Sequence, residues 1–85
     1  MPIDWWAFEA MTFRIAANCR YTPDFVVQTP SGLIELHEVK GHWEEDARVK
    51  VKLAAEKFPM FRFLVVRPIA GRKGMWTAKG VRDGL

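Results

Sequence analysis

Tyr21-Thr22-Pro23-Asp24-Phe25-Val26-Val27-Gln28-Thr29-Pro30-Ser31-Gly32-Leu33-Ile34-Glu35-Leu36-His37-Glu38-Val39-Lys40 is the stretch whose reading sets the architecture. Tyr21 to Gln28 is rich in β-branched and aromatic residues and reads as a strand. Pro23 interrupts it, and a residue without an amide proton puts that strand at an edge or distorts it locally. Thr29-Pro30-Ser31-Gly32 is a strong turn signal, and Leu33 to Lys40 reads as a second strand. The two runs are expected to form an antiparallel hairpin.

Beyond this hairpin, Gly41 is expected to end the second strand. Glu44-Glu45-Asp46 places acid where the dipole of a starting helix favours it. The helix is expected to run to about Lys57 and to stop before Pro59. Its apolar stripe is Ala47, Val51, Ala54, Ala55 and Phe58, while Val49 and Leu53 form a second apolar patch on the opposite side. Phe61 to Arg67 reads as a last, largely buried strand. A helical crossover into it implies that it lies parallel to the Leu33–Lys40 strand.

On the N-terminal side, residues 11–16 alternate as a half-buried strand. Residues 5–10 fit strand or helix equally, and Ala17-Asn18-Cys19-Arg20 reads as a turn. The expected class is α/β: strand, strand, strand, helix, strand, with a mixed sheet and the helix on one face. Residues 1–67 form the expected domain. Residues 68–85, Gly-rich and basic, are expected as a loop-like tail.

The chain has 85 residues, which is one small domain burying about 60–65% of its unfolded surface. Against that marginal core stand four Trp and six Phe, so part of the apolar load is expected to meet a partner, most simply a second copy. The single cysteine, Cys19, excludes an internal disulfide and, with only His37 and His42, disfavours structural zinc. A reducing cytoplasm is the expected compartment. No apolar run reaches the ~18 residues of a membrane span, and Met1-Pro2-Ile3-Asp4 lacks the features of a signal peptide. The net charge of +3 hides a gradient. Residues 1–47 hold three bases and eight acids, whereas residues 48–85 hold ten bases and two acids. Such segregation suits a cation site and a polyanion track built from different segments.

The chemistry concentrates in the hairpin. Thirteen residues separate Asp24 from Glu38, enough for two strands and a tight turn. Antiparallel pairing brings the start of the first strand beside the end of the second. Period-2 geometry puts Glu38 and Lys40 on one face and Val39 on the other. Converging carboxylates call for a cation, and Mg²⁺, with Mn²⁺ as substitute, takes oxygen ligands. Asp24 and Glu38 are the expected metal ligands, with the Val39 carbonyl as a further oxygen. Lys40 is the group expected to act on water and transition-state charge.

Three blocks, Tyr21-Thr22-Pro23-Asp24-Phe25, His37-Glu38-Val39-Lys40-Gly41 and Asp46-Ala47-Arg48-Val49-Lys50-Val51-Lys52, resemble the PD-(D/E)XK nuclease superfamily. More closely, they look like a group of small phage and prophage proteins forming a family of unknown function placed among those nucleases. The resemblance covers roughly residues 5–67. It implies a mixed sheet flanked by helices and Mg²⁺-dependent phosphodiester cleavage by Asp24, Glu38 and Lys40. Members usually begin with a helix carrying a further acid. Here that helix is absent or very short, and Glu9 is the nearby candidate ligand, with Asp4 a weaker one. Glu9 substitutes, or a dimer partner supplies the missing layer, or the enzyme is inactive.

The expected function is therefore a homodimeric, Mg²⁺-dependent DNA endonuclease acting on duplex or branched, Holliday-junction-like DNA. The alternative is a non-catalytic DNA-binding accessory on a decayed nuclease fold. Arg48, Lys50, Lys52, Arg72, Lys73, Lys79 and Arg82 are the expected nucleic-acid contacts. His42 and Trp43 are placed to touch a substrate, and His37 points to the opposite face from Glu38.

Overall fold

The computed structural model describes residues 3–40 and 44–83, so the expectations for Gly41, His42 and Trp43 lie outside the described residues. Eight elements follow along the chain: β1 (Trp5–Phe8), β2 (Phe13–Ala16), β3 (Cys19–Tyr21), β4 (Phe25–Gln28), β5 (Ile34–Val39), α1 (Glu45–Lys57), β6 (Arg62–Pro68) and β7 (Trp76–Gly80). A short 3₁₀ turn, Val81–Asp83, follows β7. The class is α/β, with a mixed five-stranded sheet in the order β1-β4-β5-β6-β7 and a separate β2–β3 ribbon.

The hairpin forms as its turn signals require. β4 and β5 pair antiparallel, Phe25 opposite His37 and Gln28 opposite Ile34. Gly32 sits at φ 89° in the turn, a left-handed conformation that costs glycine little. β5 and β6 are parallel, Glu35 opposite Arg62 and Val39 opposite Val66, as a crossover through α1 demands.

The structure departs from the sequence expectation in three places. The run from Tyr21 to Gln28 is two strands, because buried Pro23 has no amide to pair and breaks the ladder between β3 and β4. Of residues 5–10, which fitted strand or helix equally, Trp5–Phe8 form a strand, β1, which pairs with β4. The segment after Pro68 is not a loop-like tail beyond a 1–67 unit. Its residues Trp76–Gly80 add β7 antiparallel to β6, Val65 opposite Lys79. β7 is almost wholly exposed, so no hydrophobic alternation announced it; the free edge of β6 supplies the ladder.

One face of the sheet is covered. Val51, Ala54 and Ala55 of α1 are buried against Val26, Leu36, Phe63 and Val65, with Phe13, Ile15 and Tyr21 of the ribbon filling the space beside the helix. Phe13 is the hub of an aromatic cluster, 4.8 Å from the Phe58 ring and 5.7 Å from that of Phe63. The helix C-terminus is closed from a distance. The Arg82 guanidinium donates to the carbonyls of Ala55 at 2.6 Å, Phe61 at 3.0 Å and Phe58 at 3.3 Å. Arg82, expected as a nucleic-acid contact, thus bonds one carbonyl of the last helical turn and two of the residues that follow it, while the residue itself stays exposed.

Arg82→Ala is expected to lower stability by about 2 kcal/mol, the scale of hydrogen bonds from a charged donor. A urea titration checks this through a lower midpoint at an unchanged slope.

Candidate functional site

The site lies at the C-terminal end of β5, where β4 begins. Extending the Phe25–His37 register by one residue sets Asp24 opposite Glu38, as the hairpin spacing predicts. Asp24 is half-buried, and its Oδ2 accepts the Val39 amide at 2.8 Å. Its own carbonyl accepts the Glu9 amide at 2.8 Å, so one residue ties β5, β4 and the exit of β1 together.

Glu38 is buried on the face that α1 covers, opposite Val65 on β6. Burying a carboxylate costs several kcal/mol unless its oxygens find partners. Here Oε1 accepts the Tyr21 hydroxyl at 2.5 Å, and Oε2 lies 3.2 Å from Lys40 Nζ. Lys40 is itself held in line, its amide donating to the Val66 carbonyl at 3.0 Å. Asp24, Glu38 and Lys40 therefore meet at one end of the sheet. Lys79 shares a cross-strand row with them through Val65, two strand spacings or about 10 Å from Glu38.

Tyr21 is the residue that sequence reasoning missed as a functional group. It was legible only as the first letter of the Tyr-Thr-Pro-Asp-Phe block; its contact with Glu38 spans 17 positions along the chain. Burial pushes its phenol well above the ordinary value of 10, and the hydrogen bond and the charges of Glu38 and Asp24 push it further. Tyr21 is consequently a neutral donor that orients Glu38 across the accessible pH range.

Other expected residues are distributed differently. Among the described residues no three His, Cys, Asp or Glu side chains are grouped to hold a metal ion. Glu9 in particular does not complete such a group: it turns at φ 47° after β1 with its side chain exposed. The tie between Val39 and Asp24 runs through the Val39 amide rather than the carbonyl expected as a ligand. Arg48, in the first half of α1, is half-buried, and its Nε is shielded from water without a hydrogen-bond partner among the described residues. Lys50 and Lys52 are exposed on α1, as are Arg72 and Lys73 in the β6–β7 loop and Lys79 on β7. His37 faces away from Glu38 as expected, with Nε2 3.0 Å from buried Glu35, which Arg62 approaches at 3.7 Å.

Comparison with family models, with curated proteins and with solved structures yields no match. No helix among the described residues is long and apolar enough to cross a membrane.

Tyr21 is the chain's only tyrosine, so its ionisation can be followed alone. A phenol pKa raised by folding stabilises fully below the unfolded value of 10, and that contribution is lost as pH rises above it. Stability is expected to fall by about 1.4 kcal/mol per pH unit above that point. Tyrosinate absorbance should appear only together with loss of the folded circular-dichroism signal. Tyr21→Phe should abolish the alkaline slope and cost about 1–3 kcal/mol at neutral pH, since Glu38 loses a donor.

Proposed function

We propose that the chain is a metal-dependent endonuclease acting on DNA, duplex or branched, built on a minimal PD-(D/E)XK core. The observation that carries this reading is the meeting of Asp24, Glu38 and Lys40 at the end of a hairpin, beside a helix with exposed bases. The donor set fits Mg²⁺ or Mn²⁺: two carboxylates and a backbone oxygen are hard ligands, and Mg²⁺ commonly uses only one or two carboxylates, with water and substrate oxygens completing its shell. Asp24 and Glu38 would hold the ion, with the Val39 carbonyl as a further oxygen. The chemistry such an ion would supply when bound is acidification of a water and offset of charge on the phosphodiester.

The chain's own residues divide the remaining work. Tyr21 fixes the rotamer of Glu38 by donating to one of its oxygens. The Lys40 ammonium, beside the other oxygen, is placed to orient the attacking water and to stabilise charge on the phosphoryl oxygens. Arg48 offers a shielded donor to a phosphate. Lys50, Lys52, Arg72, Lys73 and Lys79 contact backbone phosphates without sequence preference, which makes binding steeply salt-dependent.

A second reading, a non-catalytic DNA-binding accessory on the same fold, is favoured by one observation. Asp24 and Glu38 have no third carboxylate grouped with them among the described residues.

Incubation with supercoiled plasmid in Mg²⁺, Mn²⁺ or EDTA separates the two. Metal-dependent nicking is expected, whereas a salt-sensitive gel shift without cutting selects the accessory. Lys40→Ala is expected to slow cleavage by roughly 10²–10⁴-fold with the gel shift retained. Divalent metal is expected to raise the melting temperature of the wild type, because it binds the folded site alone. Asp24→Asn should lose that rise along with cleavage; an equal rise in the variant would show that Asp24 holds no ion.

A further inference from the structure

The sheet face opposite α1 has no covering layer among the described residues. Alternation and register put Trp6 and Phe8 of β1, Phe25 of β4, Val39 of β5, Val66 of β6 and Trp76 of β7 on this side. Together they line a shallow groove of about 630 Å³ that crosses the whole sheet. Trp6, Phe8 and Trp76 keep 59%, 59% and 54% of their surface in water. That is roughly 350–400 Å² of aromatic area, close to half of one partner's share in a standard interface. The chain as a whole exposes 5792 Å². A folded monomer of this mass exposes only about 5,200 Å².

Charge selects the occupant and its orientation. The β1 edge is bordered by Asp4 and Glu9 and no base, whereas the turn that leads into the β7 edge carries Arg72 and Lys73 and no acid. β1 and β7 are the two outer strands, so the acidic and basic ends of the sequence border opposite sides of one apolar face. We propose that this face is covered by the same face of a second copy, related by a two-fold axis parallel to the strands. That operation lays β1 over the partner's β7. A two-fold axis across the strands would set β1 on β1 and repel.

Direction along the strands adds a finer match. β1 runs antiparallel to β4, and β7 antiparallel to β6, which puts Glu9 and the Arg72–Lys73 turn at one end of the sheet. Asp4 lies toward the other. A strand-parallel axis preserves that sense, so Glu9 comes to the end that carries the partner's Arg72–Lys73 turn. The same operation brings the Asp24–Glu38–Lys40 ends of both copies to one end of the dimer. The pairing of faces does not require that those ends be catalytic.

The exposed patch of Val49 and Leu53 on α1 is smaller. A single-stranded nucleic acid stacking on the rings is the rival occupant. Among the described residues the polar lining of the groove is Asp24 and His37, with no lysine or arginine to meet a phosphate within it.

Sedimentation equilibrium of the whole chain tests the arrangement. A dimer is expected for the wild type and a monomer for Trp6→Ser with Trp76→Ser, both folded by circular dichroism. Reversing the acidic edge (Asp4→Lys with Glu9→Lys) or the basic edge (Arg72→Glu with Lys73→Glu) is expected to weaken self-association about tenfold or more. Mixing the two reversed variants should restore a dimer, because both cross-edge contacts are again of opposite sign. A wild-type monomer at every attainable concentration overturns the proposal. So does retention of the dimer by the double serine variant, or reversed edges that leave association unchanged. A monomer whose single-stranded DNA affinity falls on the Trp6→Ser and Trp76→Ser changes gives the face to nucleic acid instead.

Discussion

β5 is the third of five strands and must bury both of its faces, and that constraint organises the rest of the molecule. Leu36 on one face completes the core under α1, while Glu35 and Glu38, three positions apart, fall on opposite faces and are both buried. Each acid then needs its own set of partners, because an unpaired buried carboxylate would cost more than most single contacts return. Glu35 takes His37 and Arg62; Glu38 takes Tyr21 and Lys40. Two separate polar clusters on one six-residue strand follow from period-2 geometry alone.

The two clusters differ in what surrounds them. Around Glu38 the helix and the ribbon exclude water from one side, and Asp24 adds a second carboxylate whose position is fixed by the Val39 amide. Tyr21 stays protonated there because burial and two negative neighbours disfavour its anion. The result is a pre-formed arrangement in which one oxygen of Glu38 is oriented by a neutral donor and the other by a cation. Glu35 faces the side of the apolar groove, and the acid is met locally by His37 of β5 and Arg62 of β6.

Among the described residues, the helix and the ribbon cover one side of the sheet. The uncovered side keeps its rings in water, and the charge gradient along the sequence becomes a gradient across the sheet because the first and last strands are its edges. Arg82 shows another outcome for a base: it donates to three carbonyls at and just beyond the end of α1 while remaining exposed.

Much of this was legible from local pattern. The turn at Thr29–Gly32, the acid-led helix ending before Pro59, and the parallel return strand each carry a strong local signal. The spacing of Asp24 and Glu38 then follows from hairpin geometry. Pro23 also announced a break, although it was the ladder that decided on two strands. What sequence could not supply are contacts made across distance. β7 is exposed and weakly patterned, so only the free edge of β6 defines it. Tyr21 reaches Glu38 and Arg82 reaches the end of α1 through folded space, and neither has a periodicity to betray it. Glu9 looked available as a ligand by proximity in sequence, but the turn after β1 points it to solvent. Local propensity and alternation are properties of neighbouring residues and are written in the chain; burial and hydrogen-bond partnership depend on which elements the fold brings together.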